Sequence, residues 1–453
     1  MLTVVILAAG KGTRMRSDGP KVLFEAAGRA MIDYVTDAAR GCGANKIIIV
    51  AGNCAEAVIE HTKADDVVFC IQQQQLGTAH AVMAAADYIS DDSDVLILCG
   101  DMPLVTAETL SRFITESDKD TVNFISVKTD NPTGYGRVVR ASGGGVLKIV
   151  EEKDANPYEK NITEVNSGVY LCRGAQLKKR LNAIDNSNAQ KEYYLTDIVS
   201  QGANAYLAED AAEFTGVNDR LQLAAVSKIL WKRRSESFMK DGVSVLDPDT
   251  FYCSHNVSIG KDTTIYPNVF IEGNVKIGSG CKIYSGCRIK NSQIGDNCEI
   301  RDNSLVDGAL VGRDSAVGPM AHLRPGAVLT GGNRIGNFVE IKKTVLGEGS
   351  KASHLTYLGD AELGSGVNVG CGTITCNYNG YSKFKTVIGD NVFIGSDVQL
   401  VAPVNVGSGV IIAAGTTVTK DVPAHALAIS RTDQSNIDGK GKQLNERNKA
   451  AKG

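Results

Sequence analysis

Over the first 220 or so residues, short β-branched and aliphatic runs alternate with stretches whose apolar positions recur at helical spacing. Val4–Leu7, Lys46–Val50, Val67–Ile71, Val95–Cys99 and Val122–Val127 predict strands, and Met31–Arg40, Ala79–Tyr88 and Ala107–Ser117 predict helices. This alternation implies an α/β domain with a Rossmann-like, mostly parallel sheet covered by helices on both faces. Ligands of such sheets sit beyond the carboxyl ends of the strands. Asp219–Asp241 holds no Gly or Pro and keeps helical spacing, so it predicts one connecting helix.

From about residue 253 the period changes. Ile259, Ile265, Ile271, Ile277, Ile283 and Ile289 are six apart, as are Ile388, Ile394, Leu400, Val406, Ile412 and Val418. An Ile, Leu or Val followed by Gly occurs thirteen times after residue 250 and once before it, at Leu76-Gly77. Hexads of this kind each supply one short strand with its apolar residue inward and a small residue at the corner. Three hexads close a triangular coil, so this region predicts a β-helix of about nine or ten coils, on the order of 45 Å long. The register breaks between Val369 and Ile388, which predicts an insertion at Tyr378–Lys385. The expected boundaries are 1–222 for the first domain, 223–245 for a linker helix, 246–431 for the β-helix and 432–453 for a polar, flexible tail.

At 453 residues, two or three domains are expected. A net charge of −3 gives no overall footprint for nucleic acid, so anions must be held by local constellations. The apolar start, Met1–Leu7, has no basic residues before it and runs into a glycine loop, reading as a first strand and not a signal peptide. No window has the roughly 18 apolar residues of a membrane span. The eleven cysteines form no CxxC pair, which favours reduced thiols in a cytoplasmic protein over disulfides or zinc.

The loop after the first strand reads Leu7-Ala8-Ala9-Gly10-Lys11-Gly12-Thr13-Arg14-Met15, followed by Pro20-Lys21. It is neither a Walker loop nor a full dinucleotide fingerprint, since Met15 replaces the third glycine. It could be a plain tight turn, or a backbone cradle for phosphates neutralised by Arg14 and Lys21. L-x-A-A-G-x-G-T-R-M with P-K resembles the signature of sugar-1-phosphate nucleotidyltransferases. Gln72–Thr78, Gly100-Asp101, Gly134–Arg137, Glu151–Lys153, Asn166–Gly168 and Val217-Asn218 follow in that family's order. With the hexads, residues 1–431 resemble the bacterial bifunctional N-acetylglucosamine-1-phosphate uridylyltransferases/glucosamine-1-phosphate acetyltransferases, whose second domain is a left-handed parallel β-helix of hexapeptide repeats.

The resemblance implies roles. Leu7, Ala8, Gly10, Lys21, Gln72, Gln75, Gly77 and Thr78 would hold UTP. Gly136, Glu151 and Asn166 would hold the sugar phosphate, and Asp101 and Asn218 would bind Mg²⁺. Arg14 and Lys21 would assist uridylyl transfer. Asp101 could otherwise be a strand-end turn residue, and Asn218 a helix cap before Asp219. In the second half, Arg324, Lys342, His354, Tyr357, Asn368, Asn377, Tyr378 and Lys383 break the hexad pattern with polar groups. Acyl transfer to an amine needs a proton acceptor, which a histidine, titrating at about 6.5, suits. His354 is the one of six histidines inside this cluster, and the resemblance makes it the general base. It gives Arg324, Lys342, Tyr357, Asn368 and Lys383 to the sugar phosphate, and Cys371, Asn377, Tyr378, Ser396, Ala414 and Arg431 to acetyl-CoA. Cys99 and Cys371 depart from the usual Tyr and Ala. The family assembles as homotrimers, acts on small molecules, and supplies a cell-wall and lipopolysaccharide precursor. The competing readings are a nucleotidyltransferase whose β-helix only assembles or regulates it, and a scaffold with no activity. Arg14, Lys21 and Asp101 argue against the scaffold, and His354 with Arg324 and Lys342 against the single activity.

Overall fold

Strand β1 (Leu2–Ala8) is buried on both sides because its run is apolar throughout: Val4 and Ile6 face one core and Val5 the other. In the computed structural model, which describes residues 1–451, it is the centre of a sheet in the first of two units, Met1–Arg234. The sheet also contains β2 (Lys46–Ala51), β3 (Val67–Ile71), β4 (Asp94–Cys99), β5 (Val122–Lys128), β6 (Arg137–Arg140), β7 (Val146–Val150), β8 (Glu164–Arg173) and β9 (Ala203–Leu207). Its main order is β9-β5-β8-β4-β1-β2-β3, with β6 and β7 paired alongside β8. The β1–β2, β1–β4, β2–β3 and β5–β9 pairs are parallel, whereas β8 runs antiparallel to β4 and β5. The expected strands and helices form, the latter as α1 (Met31–Gly41), α3 (Thr78–Ala84) and α4 (Ala107–Glu116), while α2 (Ala55–Thr62) and α5 (Gly174–Leu181) add to them.

Helix α6 (Arg220–Lys240) fills the stretch expected to connect the halves. Its first turns belong to the first unit. Leu223 and Val226 are buried with Met15, Met31, Leu104 and Val217, and Arg233 donates to the Leu104 carbonyl at 2.7 Å. The division therefore falls after Arg234, not after residue 222.

The second unit stacks short parallel strands. Partners lie 18 residues apart, as in Val257 with Val275, or 17 apart, as in Ile277 with Ile294. One face is a nine-stranded parallel sheet, which matches the expected number of coils. Ile265, Ile271, Ile283, Ile289, Ile394, Leu400 and Ile412 are fully buried along the axis. At the insertion the step lengthens to 25, from Ala361 to Thr386, and Tyr378 bridges to Lys383 at the neck of the extra loop. The polar tail, expected to be flexible, contains helix α7 (Lys440–Ala450), which buries no residue. Residues 452–453 of that tail lie outside the described residues.

Candidate active sites

In the first unit the proposed nucleotide residues lie at the carboxyl ends of β1, β3 and β4. The loop after β1 closes tightly: Gly12 is left-handed, with φ of 60°, and a side chain there would strike the Lys21 Cβ at 2.8 Å. That approach sends Lys21 inward. Its ammonium pairs with Asp101 and donates to Asn218 Oδ1 at 3.1 Å. The Val217 amide donates to the Asp101 carbonyl at 2.9 Å, and Gly100 donates to the Leu7 carbonyl at 2.9 Å, so the β1 loop, the end of β4 and the start of α6 are tied together. Asp219 Oδ1 accepts from the Gln222 amide while Gln222 Oε1 accepts from the Asn218 amide, a reciprocal cap of α6. Asp219 thus does the capping and leaves the Asn218 side chain to face Lys21. Arg14 lies in the short turn Thr13–Met15, exposed above buried Met15.

Asp101 and Asn218 present hard oxygens to a cation, the Lys21 ammonium, that already sits between them. Such oxygens are of the type that suits Mg²⁺, a hard cation. No group of three or more His, Cys, Asp or Glu suited to a metal occurs among the described residues.

Gln72 follows β3, and its amide donates to the Ala51 carbonyl at 2.8 Å. Gly77 precedes α3 at φ 118°, and an added Cβ would lie 2.4 Å from the Tyr193 carbonyl oxygen, so the closeness of that segment requires glycine. Thr78 Oγ1 accepts from the Leu195 amide at 3.0 Å; Gln75 is half-buried in the same turn. Gly136, Glu151 and Asn166 come together: the Asn166 amide donates to the Gly136 carbonyl at 2.9 Å, and a Gly136 side chain would meet the Glu151 carboxylate at 3.5 Å. Burial raises the Glu151 carboxyl above its ordinary pKa, and Thr196 Oγ1 donates to it at 3.1 Å. Asn166 Nδ2 donates to Tyr170 Oη at 2.7 Å. Burial, with Asp101 nearby, pushes the Cys99 thiol up to about 12, so it stays protonated and inert against Gly168.

In the second unit two groups form. Arg324, Lys342 and Lys383 converge, the last from the inserted loop. Lys383 first and Arg324 next lower the Lys342 pKa by like-charge repulsion. Glu340 pairs with Arg324 at 2.7 Å. Gly359 stands beside Lys342 in the ladder, and the space of its missing side chain is taken by Tyr357 Oη and Asn377 Nδ2. Asn377 donates to Asp360. Tyr378 Oη donates to the Gly380 carbonyl.

His354 stands at a neighbouring corner, paired in register with Asn337. The Asn337 Oδ1 lies 3.2 Å from His354 Nδ1, an acceptor that suits the tautomer with its proton on Nδ1 and its lone pair on Nε2. A groove of about 700 Å³ opens beside this pair. The corner continues down the coils through Cys371, Ser396 and Ala414: Gly372 donates to Leu355, Asp397 to Cys371 and Gly415 to Ser396 through the backbone. Arg431 Nη1 reaches the Ala414 carbonyl at 3.3 Å. One column thus carries His354 and four of the residues assigned to acetyl-CoA. Asn368 is in register with Lys351 and Phe393. No hydrogen bond or ion pair joins His354 to the cationic trio among the described residues.

Sequence reasoning passed over Thr196, Asn337, Asp360 and His80. None breaks a pattern or completes a motif, and each is tied to a site residue only by the fold.

Residues 4–190 match the MobA-like NTP transferase domain, 253–360 the GMPPB C-terminal domain, and 385–420 the bacterial transferase hexapeptide of six repeats. Curated relatives match along nearly the whole chain. The bifunctional protein GlmU of Pelobacter propionicus is 52% identical, covering 97% of each chain. That of Trichlorobacter lovleyi is 51% identical, over 96% of this chain and 97% of its own. That of Geobacter sulfurreducens is 48% identical, over 97% and 98%.

Proposed function

The chain belongs to the family of bifunctional GlmU proteins, and from that premise we propose how its two units divide two consecutive group transfers. The second unit acetylates glucosamine-1-phosphate with acetyl-CoA. The first transfers UMP from UTP to the resulting N-acetylglucosamine-1-phosphate, giving UDP-N-acetylglucosamine and pyrophosphate. The observation that carries this division is that each unit holds its own charged cluster: Lys21 with Asp101 and Asn218 in the first, and Arg324 with Lys342 and Lys383 in the second.

In acetyl transfer, the trio Arg324, Lys342 and Lys383 holds the sugar's phosphate, with Tyr357 beside it. His354 Nε2 removes the ammonium proton as nitrogen attacks the thioester carbonyl; the C–S bond breaks and the thiolate of coenzyme A leaves. Cys371, Ser396, Ala414 and Arg431, with Asn377 and Tyr378 of the loop, line the path of acetyl-CoA. In uridylyl transfer, the sugar phosphate oxygen attacks the α-phosphorus of UTP in line with the leaving pyrophosphate. Lys21 and Arg14 offset charge on the phosphates, Gln72, Gln75, Gly77 and Thr78 hold the base and nucleoside, and Gly136, Glu151 and Asn166 position the sugar. Asp101 and Asn218 would hold Mg²⁺, which would add to the neutralisation of phosphate charge. By its resemblance to the family, the protein works in the cytoplasm as a homotrimer.

The test supplies glucosamine-1-phosphate, acetyl-CoA, UTP and Mg²⁺, following free thiol and pyrophosphate separately. Pyrophosphate release from glucosamine-1-phosphate is expected to require acetyl-CoA, and release from N-acetylglucosamine-1-phosphate is not. Thiol release without any pyrophosphate, or the reverse, would remove one of the two activities.

A further inference from the structure

Gln72 is 4% exposed, and both hydrogens of its side-chain amide are engaged. Nε2 lies 3.1 Å from the Gly77 carbonyl oxygen and 3.0 Å from Nδ1 of His80, on the first turn of α3. The carbonyl can only accept, so it must face Nε2 and not Oε1. An amide nitrogen can only donate, so His80 Nδ1 must accept, which places the imidazole proton on Nε2. The Gly77 carbonyl and the Nδ1 lone pair of His80 thus take one amide hydrogen each and together hold the amide in this orientation. Turning the amide over would bring Oε1 against the Gly77 carbonyl, which can only accept, and would require the other tautomer of His80. Tyr193 packs near His80, its ring centroid 6.3 Å away, and the Ala79 amide donates to the Tyr193 carbonyl at 2.9 Å, holding the imidazole on its side of the turn. Oε1 accepts nothing among the described residues and is the one polar atom of the side chain left for a ligand.

We infer that His80 is a positioning residue for base selection: it holds the Gln72 amide with Oε1 outward, so that the pocket accepts a pyrimidine offering a ring N–H and rejects one offering a ring lone pair. The inference rests on the reading that Gln72 meets the base. Uracil presents N3–H to Oε1, whereas cytosine presents an unprotonated N3 and meets acceptor against acceptor. Without His80 the amide keeps one anchor, the Gly77 carbonyl, and turns more readily to give cytosine a donor, so loss of the second anchor should raise the use of CTP as well as lower that of UTP. A residue that only packs the turn would impair both alike.

The experiment measures kcat and KM of the whole enzyme for UTP and CTP with N-acetylglucosamine-1-phosphate, in wild type, His80→Leu, His80→Asn and Gln72→Leu. Thermal unfolding and acetyl transfer serve as controls of folding. One hydrogen bond sets the scale, so His80→Leu should lower the UTP-over-CTP preference by roughly three- to tenfold, through KM for UTP and a gain with CTP. His80→Asn returns an acceptor oxygen near the Nδ1 position and should restore the preference. An unchanged preference in His80→Leu while Gln72→Leu loses it overturns the role of His80 alone. An unchanged preference in both overturns the reading of Gln72, and the role of His80 with it. Equal losses for UTP and CTP in His80→Leu assign the histidine to packing and overturn the inference.

Discussion

In the proposed function Asp101 and His354 each supply one group to one activity. Asp101→Asn keeps the shape of the side chain but removes the charge facing Lys21 and, when present, Mg²⁺. Uridylyl transfer should fall by roughly 10²-fold or more, the scale of losing one preorganised electrostatic partner. Pyrophosphate release at low and high Mg²⁺ checks this, and near-normal release at low Mg²⁺ would exclude Asp101 as a ligand. Acetyl transfer should be unaffected, because its residues belong to the other unit. His354→Ala should slow thiol release by roughly 10²–10⁴-fold, the range for a general base, with little change in KM for the sugar phosphate. If turnover per folded molecule stayed at the wild-type level, His354 would be a coil residue only. Glu340, paired with Arg324, and Asn337, paired with His354, were invisible in the sequence because their significance lies in partners 16 and 17 residues away.

In the proposed function the inserted loop contributes Lys383 to the acetyl site. It carries Lys383 to Lys342 and leaves the latter's pKa lowered by its cationic neighbours. A lysine so depressed loses its proton at lower pH than a free one. A phosphate dianion favours the charged form, so KM for glucosamine-1-phosphate should rise as pH climbs through that lowered pKa. Lys383→Ala removes the main cause, so the rise should move to higher pH while KM at neutral pH increases. A pH profile of KM for wild type and variant checks this, and coincident profiles would separate Lys383 from Lys342. The hexads around the loop were legible because one buried residue every six leaves little freedom of register. The loop itself was legible only as the place where the count failed. In the first unit, β8 was missed because Asn166-Ser167-Gly168 interrupts its apolar run, and there the register shifts between Asn166 and Tyr170. Helix α2 gives no start signal, for Cys54 precedes it at φ 53° with no capping side chain. Helix α7 has good helix formers and no apolar stripe, so periodicity could not reveal it.

For the whole molecule, the question is where it can be cut. The composition of the chain changes near residue 253, and helical periodicity alone makes the preceding stretch a neutral linker. The core under Met15 says otherwise. Met15, Met31, Leu104 and Val217 are closed over by Leu223 and Val226, with Ile229 and Leu230 packed against them. Each fully buried aliphatic side chain contributes roughly 1.5–3 kcal/mol, so losing Leu223 and Val226 costs about 3–6 kcal/mol. That is a large part of the roughly 5–15 kcal/mol that holds an ordinary domain together. The same cluster lies beneath the turn bearing Arg14 and beside Val217, whose amide fixes Asp101, so its loss should disturb the nucleotide site as well. A fragment of residues 1–234 should therefore fold, release pyrophosphate from UTP and N-acetylglucosamine-1-phosphate, and show no acetyl transfer. A fragment of residues 1–222 should unfold at a much lower temperature and lose pyrophosphate release. Thermal unfolding and pyrophosphate assays on both fragments decide the matter. Equal stability of the two would return the start of α6 to the role of a linker, and a folded but inactive 1–234 fragment would mean that the uridylyl site needs residues beyond its own unit.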